Sequence, residues 1–250
     1  RHQRELAVAR MMAWASFPDP LSAGRYLAMG LMVLTGAAMQ GVGGLGYAMF
    51  CAPLAAIFFP ELVPGPLLAV GAPLALLAYL RERDALNGHV AAATLAGRVI
   101  GTFVATGLLV YFSASALSIL FAVLILIAVT LSTIGWRVQP TTANLSIAGV
   151  ASGIMGTITA AGGPPFAVAM QHLAPPTMRS TLGVVFFAGT IVSIMALAWV
   201  GKMGAQEWWY FAVLLPWMLV GFFASNRLAR HVSRTAIRQW LLGTAAVSAC

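Results

Sequence analysis

The sequence predicts an all-α, polytopic membrane protein built from two four-element repeats that are inverted with respect to each other. Each repeat opens with a broken, re-entrant helix and continues with three transmembrane helices. Hydrophobic residues make up 60% of the 250-residue chain and charged residues only 8%, whereas a soluble domain averages about 25% charged residues. In addition, two long apolar runs are interrupted by glycines and prolines, GVGGLG at 41–46 and AAGGPP at 160–165.

These two interruptions are helix breaks, because ordering glycine costs entropy and proline lacks an amide hydrogen. A broken backbone is too costly to face lipid, so each break must be buried in protein or line a polar cavity. Breaks at corresponding places in two halves of a membrane protein indicate a binding site between the halves.

The chain divides into a polar, interfacial segment over residues 1–26, a first repeat over 27–137 and a second repeat over 138–250. Residues 4–17 of the first segment are expected to form a short helix on the membrane surface. The first repeat contains a broken run over 27–59 and helices over 67–80, 89–112 and 116–134. The second contains a broken run over 144–173 and helices over 178–200, 208–225 and 237–250.

The order of features agrees between the halves when Gly43 and Gly44 are placed on Gly162 and Gly163. The same alignment places Tyr47 on Phe166, and it indicates an internal duplication. The chain begins without Met, and its last helix is too short to span a membrane as given. We therefore expect the last helix to be truncated and the sequence to be a piece of a longer protein.

Each broken run is either one bent crossing or a hairpin of two half-helices, and charge distinguishes the two. Cytoplasmic ends of membrane helices carry an excess of Lys and Arg. Bent crossings divide the cations near the segment ends six to five between the two sides, whereas hairpins divide them eight to three. The hairpin interpretation is therefore favoured, with these cations in the cytoplasm: Arg81, Arg83, Arg137, Arg179, Arg227, Arg230, Arg234 and Arg238.

The formal net charge of +8 comes from arginines that lie mostly at the ends of apolar segments. This distribution sets topology, and it favours membrane lipid rather than nucleic acid as a partner. Cys51 and Cys250 offer no metal-ligand spacing, so neither a metal nor a cofactor is expected. No nucleotide motif, HExxH or nucleophile with a base is present, so we predict no catalytic residue and no enzyme.

The breaks themselves are candidates for an anion site. Helix ends expose unpaired amides, and a helix N-terminus carries partial positive charge. The alternative is close helix packing through small residues. Matched breaks flanked by glutamines favour the site, and its candidate residues are Gln40, Gly43, Gly44, Leu45, Gly46, Gly162, Gly163, Pro164 and Gln171.

Arg98 is the tenth residue of its predicted segment, which places it roughly 13–14 Å from the segment's start, near the midplane. A buried arginine costs at least about 2.5–3.5 kcal/mol, so it normally faces a cavity or a partner. All six acidic residues lie at segment ends or in loops. The unpaired charge invites an anionic ligand; the alternatives are capping of backbone carbonyls and snorkelling.

Two further residues are weaker candidates for the same site. Arg179 begins the helix that follows the second break, where an interfacial anchor is the alternative role. His172 lies at a helix end, where a satisfied polar residue is the alternative to a ligand or proton carrier.

The two breaks and their flanks resemble the sulfite exporter TauE/SafE family. In GVGGLGYAMFCAPL the matching residues are Gly41, Gly43, Gly44 and Pro53. In AAGGPPFAVAMQHLAPPTMRSTL they are Gly162, Gly163, Pro164, Pro165, Gln171 and the four residues from 179 to 182. The resemblance extends over nearly the whole chain from Leu27. Ala160, Ala161 and His172 depart from the stricter family pattern.

The resemblance implies a transporter, in the exporting direction, of small sulfur-containing anions such as sulfite, sulfoacetate or other organosulfonates. It also implies a multi-pass protein of the bacterial inner membrane. We hypothesise a midplane anion held by backbone amides, Gln40, Gln171 and Arg98, with access alternating as one half rocks against the other. The sequence leaves open an anion channel, a non-transporting membrane scaffold or assembly protein, and the formation of a homo-oligomer.

Overall fold

The computed structural model describes residues 20–113 and 138–228 and, between these ranges, residues 116, 119–124, 126, 127 and 130. Regular structure in this part of the chain is entirely helical. The surface helix over 4–17 and the last helix over 237–250 lie outside the described residues, and the helix over 116–134 is described only in part. Many large apolar side chains face outwards, as expected of helices that contact lipid.

The first half begins with two helices separated by the first break, α1 over Pro20–Gly43 and α2 over Tyr47–Phe58. After a turn of 3₁₀-helix over Pro60–Leu62 follow α3, Gly65–Arg81, and α4, Gly88–Tyr111. Helix α1 starts seven residues before the predicted run. The Asn87 side chain caps α4 by accepting a hydrogen bond from the Val90 amide.

The second half has the same order of helices. Helices α5, Thr142–Thr159, and α6, Pro164–Ala169, flank the second break. They are followed by α7, Pro175–Trp199, and α8, Ala205–Leu228. The Thr141 side chain accepts a hydrogen bond from the Asn144 amide and so caps α5. Helices α1, α4, α7 and α8 are long and apolar enough to cross a membrane.

The first broken run folds back on itself. The Arg25 side chain lies near the start of α1. It donates hydrogen bonds to the carbonyl of Phe58, the last residue of α2, and to the carboxylate of Glu61, just after α2. Halfway along, the Cys51 thiol lies 3.5 Å from the Met32 carbonyl oxygen. We call this side of the bundle the Arg25 end.

The second broken run returns to the opposite side of the bundle, which we call the Arg81 end. There the start of α5 lies beside the start of α4, with His89 Nε2 3.1 Å from Thr142 Oγ1. The start of α7 lies beside the end of α3, where Arg179 is paired with Glu82. The open side of the second hairpin, where α5 begins and where the chain continues from α6 into α7, is therefore at the Arg81 end.

The arms of each hairpin differ in length. Helix α1 has 24 residues and α2 has 12, while α5 has 18 and α6 has six. At about 1.5 Å per residue the first arms are roughly 36 and 27 Å long and the return arms roughly 18 and 9 Å. Each break thus follows a long helix that crosses most of the bundle and precedes a short return arm.

Glycines allow the backbones of two parallel helix pairs to touch. Helices α4 and α5 make the most extensive contact among the described elements. There a Cβ on Gly101 would lie 2.9 Å from the Val150 carbonyl carbon and 3.0 Å from the Cα of Gly153. In the α1–α8 pair, Gly221 faces the Leu34 backbone in the same way.

The more extensive helix contacts follow a pattern, whereas the smaller α5–α7 and α2–α3 contacts have no counterpart of similar size. The counterparts in the two halves are α1 and α5, α2 and α6, α3 and α7, and α4 and α8. If each helix is exchanged for its counterpart, the α4–α5 contact becomes the α8–α1 contact, and the α4–α7 contact becomes the α8–α3 contact. The α1–α2 contact likewise becomes α5–α6, and the α3–α7 contact maps onto itself.

Replacing Gly101 with alanine should destabilise the protein by about 1–3 kcal/mol, because the new methyl group overlaps the α5 backbone and forces the helices apart. Gly107→Ala is the matched control on the same helix, since no described atom lies within 4 Å of its Cβ position. The control should be neutral or gain up to about 1 kcal/mol from helix propensity. Thermal unfolding of the detergent-purified variants measures both; equal effects would contradict the backbone contact.

Candidate functional site in the cavity between the two helix breaks

A cavity lies between the two breaks and is lined by both. The cavity has a volume of about 40 Å³, which is room for roughly three water molecules. Its lining residues come from α1, α2 and the first break, from α3 and α4, and from the second break and α7: Gln40, Leu45, Gly46, Tyr47, Ala48, Met49, Leu67, Leu68, Gly71, Arg98, Ala160, Gly162, Gly163, Phe186 and Thr190.

At the first break the chain reverses through Gly44 and Gly46, whose φ angles are 78° and 151°. These values suit glycine, which carries no Cβ. The Gly44 amide still donates to the Gln40 carbonyl at 2.7 Å, so it belongs to the end of α1. The buried Gln40 side chain accepts a hydrogen bond from the Tyr47 amide at 3.3 Å and caps α2.

The next two amides of α2 are those of Ala48 and Met49. The first amides of a helix have no intrahelical acceptor, and neither of these has an acceptor in the described part of the chain. Both residues line the cavity. Two of the donors that the first break offers are therefore at the start of α2, whereas the Gly44 amide is used within α1.

The second break has fewer amides. Ala160 takes a left-handed conformation with φ 61°, and the Ala161 amide donates to Thr159 Oγ1. Pro164 and Pro165 have no amide hydrogen, which leaves Gly162 and Gly163 as the donors there. A Cβ on Gly163 would lie 3.3 Å from Met49 and 3.5 Å from Leu45, so the two breaks are in contact.

Arg98 is the only cationic residue among those that line the cavity, and its residue surface is 1% exposed. It lies ten residues after the start of α4, about 15 Å along the helix and near its middle. Nη1 donates to Ser152 Oγ at 2.6 Å, and Nη2 donates to Thr190 Oγ1 at 3.4 Å. The Phe186 ring centroid lies 5.3 Å from Cζ.

No carboxylate pairs with Arg98 among the residues that the structure describes. Its Nε is buried and has no hydrogen-bond partner. The neighbouring hydroxyls of Ser152 and Thr190 are neutral, so they solvate the guanidinium without balancing its charge. The site is consequently a small, partly apolar cavity with one uncompensated positive charge.

The structure brings together some of the predicted site residues and not others. Gln40, Leu45, Gly46, Arg98, Gly162 and Gly163 line the cavity, and Gly43, Gly44 and Pro164 lie at the breaks without lining it. Gln171 and His172 are exposed at the end of the second hairpin, where the Gln171 amide donates to the Val168 carbonyl. Arg179 is paired with Glu82 at the Arg81 end.

Sequence reasoning missed the two hydroxyls that hold Arg98. Ser152 and Thr190 are 54 and 92 residues away from it in the chain. One signal was available for Ser152, because glycines four apart on both helices (97 and 101, 149 and 153) indicate a close helix pair. No comparable signal points to Thr190. No group of three or more metal-ligating side chains occurs in the residues described.

Gly189 on α7 provides the space that the Arg98 side chain occupies. A Cβ there would overlap Nε and Cδ of Arg98 and lie 3.1 Å from its Cγ. Any side chain at this position must therefore displace the Arg98 side chain or the α7 backbone.

We predict that Gly189→Ala destabilises the protein by about 1–3 kcal/mol through this overlap. In an Arg98→Ala background the same change should be neutral or slightly stabilising, because the overlapping atoms are gone and alanine favours a helix. Thermal unfolding of the two single variants and the double variant gives the coupling energy. Additive effects would show that residues 189 and 98 do not share this space.

Comparison with protein families gives one result. The family model described as sulfite exporter TauE/SafE matches residues 28–250. No curated protein and no solved structure matches the chain. Because the family match covers residues 28–250, which include both breaks, Arg98, most of α1 and all of α2 to α8, this chain belongs to the sulfite exporter TauE/SafE family of membrane transporters.

Proposed function

We propose that this protein exports small sulfur-containing anions, such as sulfite and organosulfonates, across the bacterial inner membrane. The observation that carries the proposal is Arg98, a fully buried guanidinium without a carboxylate partner in the described residues, on the wall of a cavity between two helix breaks. Family membership supports the class of substrate.

The electrostatics of the cavity favour an anion. A charged arginine at the bilayer centre costs at least about 2.5–3.5 kcal/mol, and a bound anion offsets much of that cost. The guanidinium has five N–H donors in a planar fork that matches two oxygens of an oxyanion. Nε of Arg98 has no hydrogen-bond partner in the described residues, so one of the five donors remains unused.

Backbone amides add neutral donors to this charge. The amides of Ala48 and Met49 lie at the N-terminus of α2, where the helix dipole contributes partial positive charge. Gly162 and Gly163 contribute donors from the other break, and a Cβ on Gly162 would lie 2.9 Å from Arg98 Nη1. An anion beside Arg98 would therefore have neighbours from both halves of the chain.

We propose that access to this site alternates between the two sides of the membrane and that the chain consists of two inverted repeats. The hairpins support this arrangement, since the first opens towards the Arg25 end and the second towards the Arg81 end. The exchange of contacting helix pairs between the halves supports it as well. In the proposed cycle the first hairpin covers the site from one side and the second from the other.

Charge supports a cytoplasmic location for the Arg81 end, because Arg81, Arg83 and Arg179 lie there, while Arg25 and Lys202 lie towards the Arg25 end. The inside-negative potential favours exit of an anion by about 2.3 kcal/mol per charge per 100 mV. Export therefore requires no coupling ion. The cavity volume favours the smallest anions, since a substituent on a sulfonate must displace Met49, Phe186 or other apolar lining.

The test is flux into or out of proteoliposomes with sulfite, sulfoacetate, taurine and simple carboxylates. Sulfite should move fastest, and Arg98→Gln should weaken its apparent affinity roughly 10- to 100-fold, the effect of losing hydrogen bonds to a charged donor. Arg25→Gln is the control: it also removes a cation, but one that is paired with Glu61 at the membrane surface.

Two results would contradict the proposal. If the folded protein transports none of these anions, it is not an anion transporter. If the Arg98→Gln and Arg25→Gln variants have equal affinities for sulfite, Arg98 does not bind the anion. In addition, a single-channel conductance far above the rates of carriers would show that the protein is an anion channel and does not work by alternating access.

A further inference from the structure

We infer that Arg179 is a second, outer anion-binding station at the Arg81 end, and that the Glu82 carboxylate occupies this station until an incoming oxyanion displaces it. The inference rests on the proposed function and concerns how its anion reaches the cavity. Its ligand class is an oxyanion with at least two oxygens on one centre, such as a sulfite or a sulfonate.

The geometry of the pair supports this ligand class. Arg179 Nε lies 2.9 Å from each Glu82 carboxylate oxygen, and Nη2 donates to the same carboxylate. Nε is thus shared between the two carboxylate oxygens and Nη2 binds Oε1, so the guanidinium contacts two oxygens on one centre. The side chains are 19% and 21% exposed, so water and small ions reach them. The carboxylate is a tethered anion in a position that a free oxyanion can take.

The pair is also connected to the first break. The aliphatic part of Arg179 lies over Gly44, where a Cβ would overlap Cγ and approach Cδ to 3.2 Å. Gly44 immediately precedes Leu45 and Gly46, which line the cavity. An oxyanion that takes the place of the Glu82 carboxylate on Arg179 therefore lies beside the tip of the first hairpin.

Arg81, beside this pair, has a different set of partners. Its Nη1 donates to the Gly41 carbonyl at 2.9 Å and its Nη2 to the Phe222 carbonyl at 3.3 Å, and Cζ lies 3.9 Å from the Phe222 ring centroid. An anion that bound Arg81 would displace these neutral carbonyls, and Arg81 would then no longer hold the backbones of α1 and α8. Arg81 is therefore an anchor for α1 and α8, and Arg179 is the cation whose partner is exchangeable.

The position of the pair also distinguishes it from the ion pair at the other end. Arg25 and Glu61 both belong to the first half, where they close one hairpin. Glu82 follows α3 and Arg179 lies in α7, so their bond joins the two halves of the chain. Exchange of Glu82 for a free anion keeps the charge of Arg179 balanced while it releases a link between the halves.

The test is the Glu82→Gln variant, with sulfite binding to the purified protein and sulfite flux as measurements. Removing the tethered competitor should lower the half-saturating sulfite concentration roughly two- to fivefold, the size expected for a partly exposed ion pair. Arg179→Gln should raise that concentration, and the double variant should behave like Arg179→Gln. Arg179→Lys keeps the charge but loses the fork, so it should also bind more weakly.

Asp84→Asn is the matched control, because Asp84 lies in the same turn and its nearest cation is the exposed Arg83 at 3.8 Å. It should leave the sulfite affinity unchanged. Weaker binding in Glu82→Gln, or a Glu82→Gln protein that does not fold, would identify the pair as a structural link and overturn the inference. Absence of sulfite flux in the parent protein would instead overturn the proposed function.

Discussion

The arrangement of this bundle depends on one uncompensated charge. Arg98 is among the largest fully buried side chains of the described structure, and no described carboxylate neutralises it. Three features of other helices make its position tolerable: the hydroxyls of Ser152 and Thr190, the missing side chain of Gly189, and the cavity beside it. A charge held in this way is poorly solvated by protein and favours any anion small enough to enter.

Polar side chains are concentrated around this charge. One turn further along α4, the Thr102 hydroxyl lies 3.3 Å from those of Ser193 and Thr157, and all three are fully buried. The corresponding place in the other half is apolar: when Gly101 is placed on Gly221, Arg98 falls on Met218, which is also fully buried. The charged and hydroxyl-bearing part of the site therefore comes from α4, α5 and α7.

Sequence reasoning reached the helices and the two breaks because both depend on local chemistry. The position of Arg98 follows from its distance along one apolar segment, and the Thr141 cap from a local pattern. The partners of Arg98 depend on contacts across 54 and 92 residues, which no local pattern encodes. For the same reason, Arg179 was predicted as a ligand without its Glu82 partner.

The donors at the breaks show a second kind of limit. Glycines predicted where the helices break, but the amides of Gly44 and Ala161 are used within their own turns. Which amides are left over depends on the φ angles of single residues, such as the left-handed Ala160. Gln171 was placed in the site by its position after the second break, yet the short α6 ends before it and carries it to the surface.

The parallel glycine contacts have a consequence for motion. Helix α4 belongs to the first half and α5 to the second, yet their backbones touch, and the same is true of α1 and α8. A movement that separated residues 27–137 from 138–250 would have to pull both pairs apart. Under the proposed alternating access, α1 would therefore move with α8 and α4 with α5, so that each moving part would contain helices from both halves of the chain.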